Sequence, residues 1–165
     1  MQSILETEDE FVSIIQSLHS TCATDTEQCG ADLAKQMQSS NTFPPFVALY
    51  GDLGVGKTAF VRGFASVITP TSAVRSPTFA LVNEYWGKSG SLFHFDMYRI
   101  DSEDDLLSIG FYDYWDRPGI CLVEWSEKIP YALPDEYLRV TITKDDPTDP
   151  NHRGILIEWI GKEST

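Results

Sequence analysis

One short stretch limits what this chain can fold into more than any other feature of its sequence. The pattern G-x-x-x-x-G-K-S/T is matched by Gly51-Asp52-Leu53-Gly54-Val55-Gly56-Lys57-Thr58. Its glycines let successive backbone N–H groups turn toward an anion, because they carry no Cβ. The apolar run Phe46–Tyr50 precedes the stretch and a helix-periodic segment follows it, which is the context this pattern needs. A chance glycine-rich turn before a helix is the alternative, and the context disfavours it.

Residues 51–58, the phosphate loop, are therefore predicted to bind a nucleoside triphosphate. Lys57 would reach the β- and γ-phosphates. The Thr58 hydroxyl would bind Mg²⁺ at the start of a helix whose dipole favours negative charge. The remaining loop residues would contact phosphate mainly through their backbone: Gly51, Asp52, Leu53, Gly54, Val55 and Gly56.

Two carboxylates that follow apolar strands are candidates for the metal and for hydrolysis. Glu124 comes directly after the apolar run Ile120–Val123, and Asp96 follows Leu92–Phe95. A phosphate loop needs a carboxylate at the end of a neighbouring strand to help hold Mg²⁺, and Glu124 has the better context. Asp96 is expected near the γ-phosphate, where it would orient the attacking water or the metal's water shell. The alternatives are a solvated strand end for Glu124 and an ordinary turn acid for Asp96.

Other candidates carry weaker signals. Thr78 lies in the segment after the helix that follows the phosphate loop. Nucleotide switches often place there a hydroxyl that senses the γ-phosphate. A plain turn is an equal alternative for Thr78. Trp125 could stack on a base or a partner, although a buried core tryptophan is the commoner outcome. The three histidines (His19, His94 and His152) show no metal-ligand spacing, and His94 is expected to be a strand residue with a hydrogen-bond partner.

The apolar pattern predicts one α/β domain over residues 1–165, with residues 1–10 disordered. The expected fold is a three-layer, P-loop NTPase-like fold with a mostly parallel central sheet and antiparallel hairpin strands. Parallel strands are expected at Phe46–Tyr50 and Ile120–Val123. Hairpins are expected from two pairs of segments: Phe79–Trp86 with Ser91–Asp96, and Leu138–Ile142 with Ile155–Trp159.

Helices are predicted from capping and periodicity. Thr24 and Glu27 read as a capping box, which places the helix start at Thr24, with Cys29, Leu33 and Met37 on one face. The helix after the phosphate loop is expected to end before Pro70. Acidic residues 101–105 open a short helix, with Gly110 just past its end. The segment Phe11–Leu18 fits a helix or a strand equally well.

Charge and cysteine usage narrow the function classes. The 165 residues include 12 basic and 25 acidic side chains, for a formal net charge of −13, and the basic ones form no stripe. Tight direct binding of DNA or RNA is therefore disfavoured, and a basic protein partner fits better. The three cysteines lack Cys-x-x-Cys spacing and no run is long enough to span a membrane, so a reducing, cytoplasmic setting is expected.

Taken in order, the motifs resemble those of the bacterial TsaE family (formerly YjeE), the ATPases of tRNA threonylcarbamoyladenosine biosynthesis. The resemblance covers roughly residues 20–142. It rests on the phosphate loop and four further segments: Thr26-x-x-x-Gly30-x-x-Leu33-Ala34, Ser76–Val82, His94–Arg99 and Cys121–Trp125. The chain departs from the family pattern at Ala59, where a second hydroxyl is common. The first dozen residues and the loop 145–154 have no clear family counterpart.

The resemblance implies an ATP- and Mg²⁺-binding protein that hydrolyses ATP weakly. It would act with two partner subunits of a sugar-kinase-like fold, which hold the tRNA and modify the adenosine beside the anticodon. By position, Lys57 and Thr58 would contact phosphate and Mg²⁺, Glu124 would help bind Mg²⁺, and Asp96 would be needed for hydrolysis. Trp125 would lie beside the site, and the segment before Thr26 would form part of the adenine pocket.

Two other function classes stay open on the sequence. A small-molecule kinase requires an acceptor and usually a basic lid, and no arginine-rich lid segment is visible. A binding module would use ATP to order an interaction surface, with hydrolysis incidental. A GTPase is disfavoured, because no Asn/Thr-Lys-x-Asp motif for guanine is present.

Overall fold

The computed structural model describes residues 10–162, and a seven-stranded sheet runs through them. Its strands are β1 (Glu10–Ser20), β2 (Phe46–Tyr50), β3 (Val82–Gly87), β4 (Gly90–Asp96), β5 (Ile120–Glu124), β6 (Tyr137–Thr143) and β7 (Arg153–Lys162). They lie in the order β1-β7-β6-β2-β5-β4-β3. Strands β6, β2, β5 and β4 are parallel neighbours, and β3, β7 and β1 add antiparallel pairs. This confirms the predicted sheet, including both hairpins.

Helices cover the two faces of the sheet. They are α1 (Ala23–Ser39), α2 (Lys57–Ile68) and α3 (Glu103–Ser108), with 3-10 turns at Phe111–Asp116, Ser126–Lys128 and Pro130–Ala132. Alternate residues of β2 point to opposite faces, so Val47 and Leu49 pack with α1 and α2. Phe46 and Ala48 instead pack with Leu106 of α3 and with the first 3-10 turn. The result is the predicted three-layer arrangement.

Two local predictions are resolved or corrected by the structure. The ambiguous segment Phe11–Leu18 belongs to strand β1, because its backbone pairs with β7. The capping box at Thr24 is wrong: α1 begins at Ala23 with Cys22 as its N-cap. The Asp25 carboxylate accepts hydrogen bonds from the Thr21 amide at 3.0 Å and hydroxyl at 2.9 Å, which fixes the earlier start.

Strand β3 also begins later than predicted, at Val82 rather than Phe79. The Leu81 amide donates to the Pro77 carbonyl at 2.7 Å, so residues 78–81 form a turn. Residues 1–10 were predicted to be disordered, and residues 1–9 lie outside the described part of the chain. Of this segment only Glu10 is described, and it is the first residue of β1. Among residues 10–162, no helix has the length and apolarity that crossing a bilayer requires.

Helices α1 and α2 cross at two glycines. A Cβ on Gly63 would overlap the backbone carbonyl of Glu27, and one on Gly30 would overlap the carbonyl of Phe60. The close approach fixes α2, and with it the phosphate loop at its N-terminus, against α1.

Gly63→Ala is therefore expected to destabilise the protein by about 1–3 kcal/mol, because the clash is with backbone that cannot move aside. Denaturant unfolding measures the change. Arg62→Ala, one position away and exposed, is the matched control and should cost less than about 1 kcal/mol through its ion pair with Glu27. A Gly63→Ala variant as stable as the wild type would contradict the helix crossing.

Candidate functional site

The candidate site lies where the parallel strands end. The phosphate loop leaves the carboxyl end of β2, and the last residues of β4 and β5, Asp96 and Glu124, are register partners. Ligands of open α/β sheets bind at this edge, outside the carboxyl ends of the strands. The topology therefore brings the predicted phosphate, metal and hydrolytic residues into one place.

The phosphate loop has the conformation that its glycines were expected to provide. Gly51, Gly54 and Gly56 have φ angles of 144°, 75° and 116°. A non-glycine residue rarely adopts such values. Gly56 is the N-cap of α2, and its carbonyl accepts the Phe60 amide at 3.0 Å. The loop backbone and the helix N-terminus together form a cradle that fits an anion.

Lys57 lies inside this cradle. Its side chain donates hydrogen bonds to the carbonyls of Gly51 and Asp52. The ammonium also sits 4.0 Å from the ring centroid of Trp125. Burial lowers the pKa of the Lys57 amine, and the carboxylates of Glu127, Glu124, Asp96 and Asp52 oppose that effect. A phosphate group would add further negative charge and favour the ammonium form.

The side-chain oxygens of Thr58 and Glu124 lie next to each other. The Thr58 hydroxyl donates to Glu124 Oε1 at 2.8 Å, and His94 Nε2 lies 3.0 Å from the same oxygen. An ionised Glu124 can only accept, so His94 donates from Nε2. Hydroxyl and carboxylate oxygens are hard ligands of the kind that Mg²⁺ prefers, so these residues fit that ion.

Asp96 is held by three donors. Its Oδ2 accepts from the hydroxyls of Thr78 at 3.1 Å and Ser76 at 3.4 Å, and its Oδ1 accepts from the Tyr98 amide at 2.9 Å. Asp96 is 4% exposed. The segment that contains Thr78 therefore orients Asp96, which links the candidate switch hydroxyl to the candidate hydrolytic acid.

A cleft of about 330 Å³ joins these groups. It is lined by Leu53, Gly54, Gly56, Lys57, Thr58, Ala59, Ser76, Thr78, Asp96, Tyr98, Glu124 and Trp125. Trp125 is half-buried on the wall of this cleft rather than in the core, with its ring 5.0 Å from that of Tyr98. A second cavity of about 230 Å³ shares Gly54, Gly56 and Ala59 with this cleft. Its other lining residues are Cys22, Ala23, Thr26, Val55, Asn151 and Arg153.

Some residues of the site were not singled out from the sequence. Tyr98 lines the cleft, and the Glu127 carboxylate accepts the Gly51 amide at 3.4 Å. Arg153 donates from Nε to the Val55 carbonyl at 2.9 Å and so supports the phosphate loop. Tyr98 follows Asp96 closely, which is a usable signal. No sequence signal identifies Arg153, because it reaches the phosphate loop only through the position of β7 in the folded sheet.

Comparisons with known proteins support this architecture. The family model described as "Threonylcarbamoyl adenosine biosynthesis protein TsaE" matches residues 20–160. The crystal structure of Bacillus subtilis YdiB superposes with a TM-score of 0.71 at 28% identity, covering 92% of this chain and 88% of that one. The similarity confirms the P-loop NTPase-like fold predicted from the sequence.

Curated relatives agree. The tRNA threonylcarbamoyladenosine biosynthesis proteins TsaE of a Nostoc species and of Bacillus subtilis are 40% and 41% identical over 61% and 59% of this chain. These alignments span 63% and 61% of the relatives' own lengths. The Treponema pallidum TsaE protein is 32% identical over 74% of this chain and 87% of its own length. The chain therefore belongs to the TsaE family.

Proposed function

We propose that this protein is a weak, Mg²⁺-dependent ATPase that serves threonylcarbamoyl modification of the tRNA adenosine next to the anticodon, through a partner protein complex. The observation that carries the proposal is the cleft in which the phosphate loop faces both Asp96 and Glu124, in a chain of the TsaE family. Hydrolysis of a triphosphate needs a site that binds the phosphates, a carboxylate that helps to hold the metal ion and a residue that orients the attacking water.

The triphosphate would lie along residues 51–58, with the γ-phosphate toward Asp96. Lys57 and the loop amides neutralise its charge, while Thr58 and Glu124 would hold Mg²⁺. The nucleoside would extend toward the second cavity, where Cys22, Ala23 and Thr26 precede or begin α1. This position agrees with an adenine pocket formed partly by the segment before Thr26.

Hydrolysis in this site requires an oriented water. Asp96 would accept a hydrogen bond from that water and take its proton as the new P–O bond forms and the β–γ bridging bond breaks. Bound Mg²⁺ supplies charge stabilisation for the phosphates. The half-buried Trp125 and exposed Tyr98 form an incomplete wall, which fits an enzyme that turns over slowly until a partner covers the cleft.

His94 is expected to position Glu124. The His94 ring is fully buried, and its Nδ1 has no hydrogen-bond partner among the described residues. The hydrogen bond of Nε2 with Glu124 is therefore the polar contact through which His94 can act. His94→Phe should weaken the affinity for Mg²⁺ in the presence of ATP by about 10-fold or more. This is the range seen when the hydrogen-bond partner of a metal ligand is removed. Calorimetric titration of ATP with and without Mg²⁺ separates this effect from a general loss of affinity. Equal Mg²⁺ dependence in the variant and the wild type would exclude the positioning role.

The partner surface is proposed to surround the cleft. Three large side chains on its lining segments or next to them are exposed. Leu53 (76%) and Tyr98 (50%) line the cleft, and Phe79 (82%) directly follows the lining residue Thr78. Together with the net charge of −13, they fit a partner that offers apolar pockets with basic surroundings. In this arrangement the tRNA is held by the two sugar-kinase-like partner subunits.

Phe79→Ala should weaken assembly with the partner complex by about 10-fold or more, because exposed aromatic anchors dominate many interfaces. The ATP dissociation constant should stay unchanged. Trp86→Ala is the matched control: Trp86 is 61% exposed and pairs with Ser91 at the opposite end of β4 from Asp96. Analytical size exclusion or interferometry measures assembly, and equal losses in the two variants would refute this partner surface.

Reconstitution tests the whole proposal. Purified partner subunits, tRNA and the threonylcarbamoyl donor should complete repeated modification cycles only when this chain and hydrolysable ATP are present. If a non-hydrolysable ATP analogue supports repeated cycles equally well, the chain acts as an ATP-ordered binding module. Transfer of phosphate from labelled ATP to a small acceptor would instead establish a kinase.

A further inference from the structure

Three metal-ligating side chains meet outside the nucleotide cleft. They are His19 on β1 and Asp145 and His152 in the connection between β6 and β7, and one ligand atom from each lies within 4.8 Å of the others. His152 Nδ1 is 2.6 Å from Asp145 Oδ1, and His19 Nδ1 is 3.8 Å from Asp145 Oδ2. The two imidazole rings lie side by side, with centroids 5.1 Å apart.

Strand pairing produces this cluster. Gly154 of β7 pairs with His19 on one side and with Thr143 of β6 on the other. Asp145 follows Thr143 and His152 precedes Gly154, so all three ligands emerge at the same end of the three strands. A Cβ at Gly154 would come within 2.6 Å of Asp145 Oδ2, so the glycine makes the room that the carboxylate occupies.

The geometry is close to that of a metal site. Ligands about 2.0–2.1 Å from a tetrahedral Zn²⁺ lie roughly 3.3 Å apart. The two nitrogen–oxygen distances of 2.6 and 3.8 Å, which run to different oxygens of Asp145, fall on either side of that separation, and one ligand atom from each residue lies within 4.8 Å of the others. His19 and Asp145 are 64% and 38% exposed at their side chains, so a small rotation completes the geometry without disturbing the core.

A simple ion pair accounts for only part of this arrangement. One histidine is enough to satisfy Asp145, yet a second imidazole directs its Nδ1 to the other oxygen of the same carboxylate. Two imidazoles and one carboxylate form a ligand set suited to Zn²⁺ and poorly suited to Mg²⁺, which prefers oxygen. We propose that His19, Asp145 and His152 bind one Zn²⁺ or similar transition-metal ion, with a fourth position open to water.

Metal at this site would fix the residues beside the phosphate loop. His152 is followed by Arg153, whose guanidinium holds the Val55 carbonyl, and His19 is followed by Ser20, whose hydroxyl is 2.8 Å from that of Thr26. The ion would tie β1 to the β6–β7 connection next to both contacts. The proposal does not depend on the ATPase activity of the protein.

Calorimetry with Zn²⁺ on tag-free protein tests the site, in millimolar Mg²⁺ and without nucleotide so that the phosphate site does not compete. We expect one Zn²⁺ per chain, a rise in thermal unfolding temperature, and visible absorption bands of a low-symmetry site when Co²⁺ replaces Zn²⁺. Asp145→Asn, His152→Ala and His19→Ala should each weaken Zn²⁺ binding about 10-fold or more.

Two controls guard against other ligands. Asp116→Asn removes an exposed carboxylate elsewhere, and Cys22→Ser removes an exposed thiol that could itself bind Zn²⁺. Both should bind Zn²⁺ as the wild type does. The proposal is overturned if the wild type shows no 1:1 binding, if the three ligand variants bind as tightly as it does, or if only Cys22→Ser loses affinity. Circular dichroism of each variant confirms that it is folded. Loss of the fold is not expected, because His19 and Asp145 are exposed and the His152 side chain is 25% exposed.

Discussion

Lys57→Met is expected to weaken ATP binding about 30- to 1000-fold, which corresponds to about 2–4 kcal/mol. Lys57 is 5% exposed and lies inside the phosphate loop, so a phosphate there has few competing water contacts. Methionine keeps an unbranched apolar side chain of similar length but removes the ammonium, which lies 4.0 Å from the ring centroid of Trp125. The substitution removes the attraction of the ammonium for the phosphates together with its hydrogen bonds to the Gly51 and Asp52 carbonyls, while the volume of the side chain is nearly kept.

Calorimetric titration with ATP and with ADP measures this loss. The reduction should be smaller for ADP if the ammonium lies between the β- and γ-phosphates. Lys128→Met is the matched control, since Lys128 is exposed and pairs with Asp101 at 3.6 Å. If Lys57→Met binds ATP as tightly as the wild type, the phosphate loop is not the nucleotide site.

Local sequence was sufficient for the phosphate loop and for the strand ends. The loop 51–58 is contiguous, and its glycines at positive φ are required by backbone geometry alone. Asp96 and Glu124 could be placed near it because carboxyl ends of parallel strands share one edge of the sheet. Their individual roles could not be derived so directly, since both follow apolar strands and differ mainly in their hydrogen-bond partners.

Contacts that depend on strand order, or on competition between local hydrogen bonds, could not be predicted from the sequence. Thr24 had the sequence signature of an N-cap, but Asp25 binds back to Thr21 and starts α1 earlier. The approach of His19 to His152 arises from the pairing of β1 with β7, which no spacing in the sequence encodes. Arg153 reaches Val55 for the same reason. Sequence patterns thus predict which functional groups stand at each strand end, but they do not predict which strands lie beside one another in the sheet.

Asp96→Asn is expected to lower the rate of ATP hydrolysis about 100- to 10,000-fold while ATP affinity is kept or improved. The substitution is nearly isosteric. Asparagine Oδ1 can still accept from the Tyr98 amide, and the hydroxyls of Thr78 and Ser76 can turn to accept from its NH₂ group. Geometry is therefore retained, whereas the ability to take a proton from water is lost, and one negative charge near the γ-phosphate is removed.

The slow turnover expected of this protein makes a contaminating ATPase the main source of error, so hydrolysis is best followed under single-turnover conditions with enzyme in excess. Asp104→Asn, an exposed carboxylate of α3, is the matched control and should hydrolyse ATP at the wild-type rate. An Asp96→Asn variant that retains more than about half of the wild-type single-turnover rate would limit Asp96 to orienting the Ser76–Thr78 segment. Proton abstraction would then fall to the water's other neighbours, because an amide cannot replace a carboxylate as a base but can replace it as a hydrogen-bond partner.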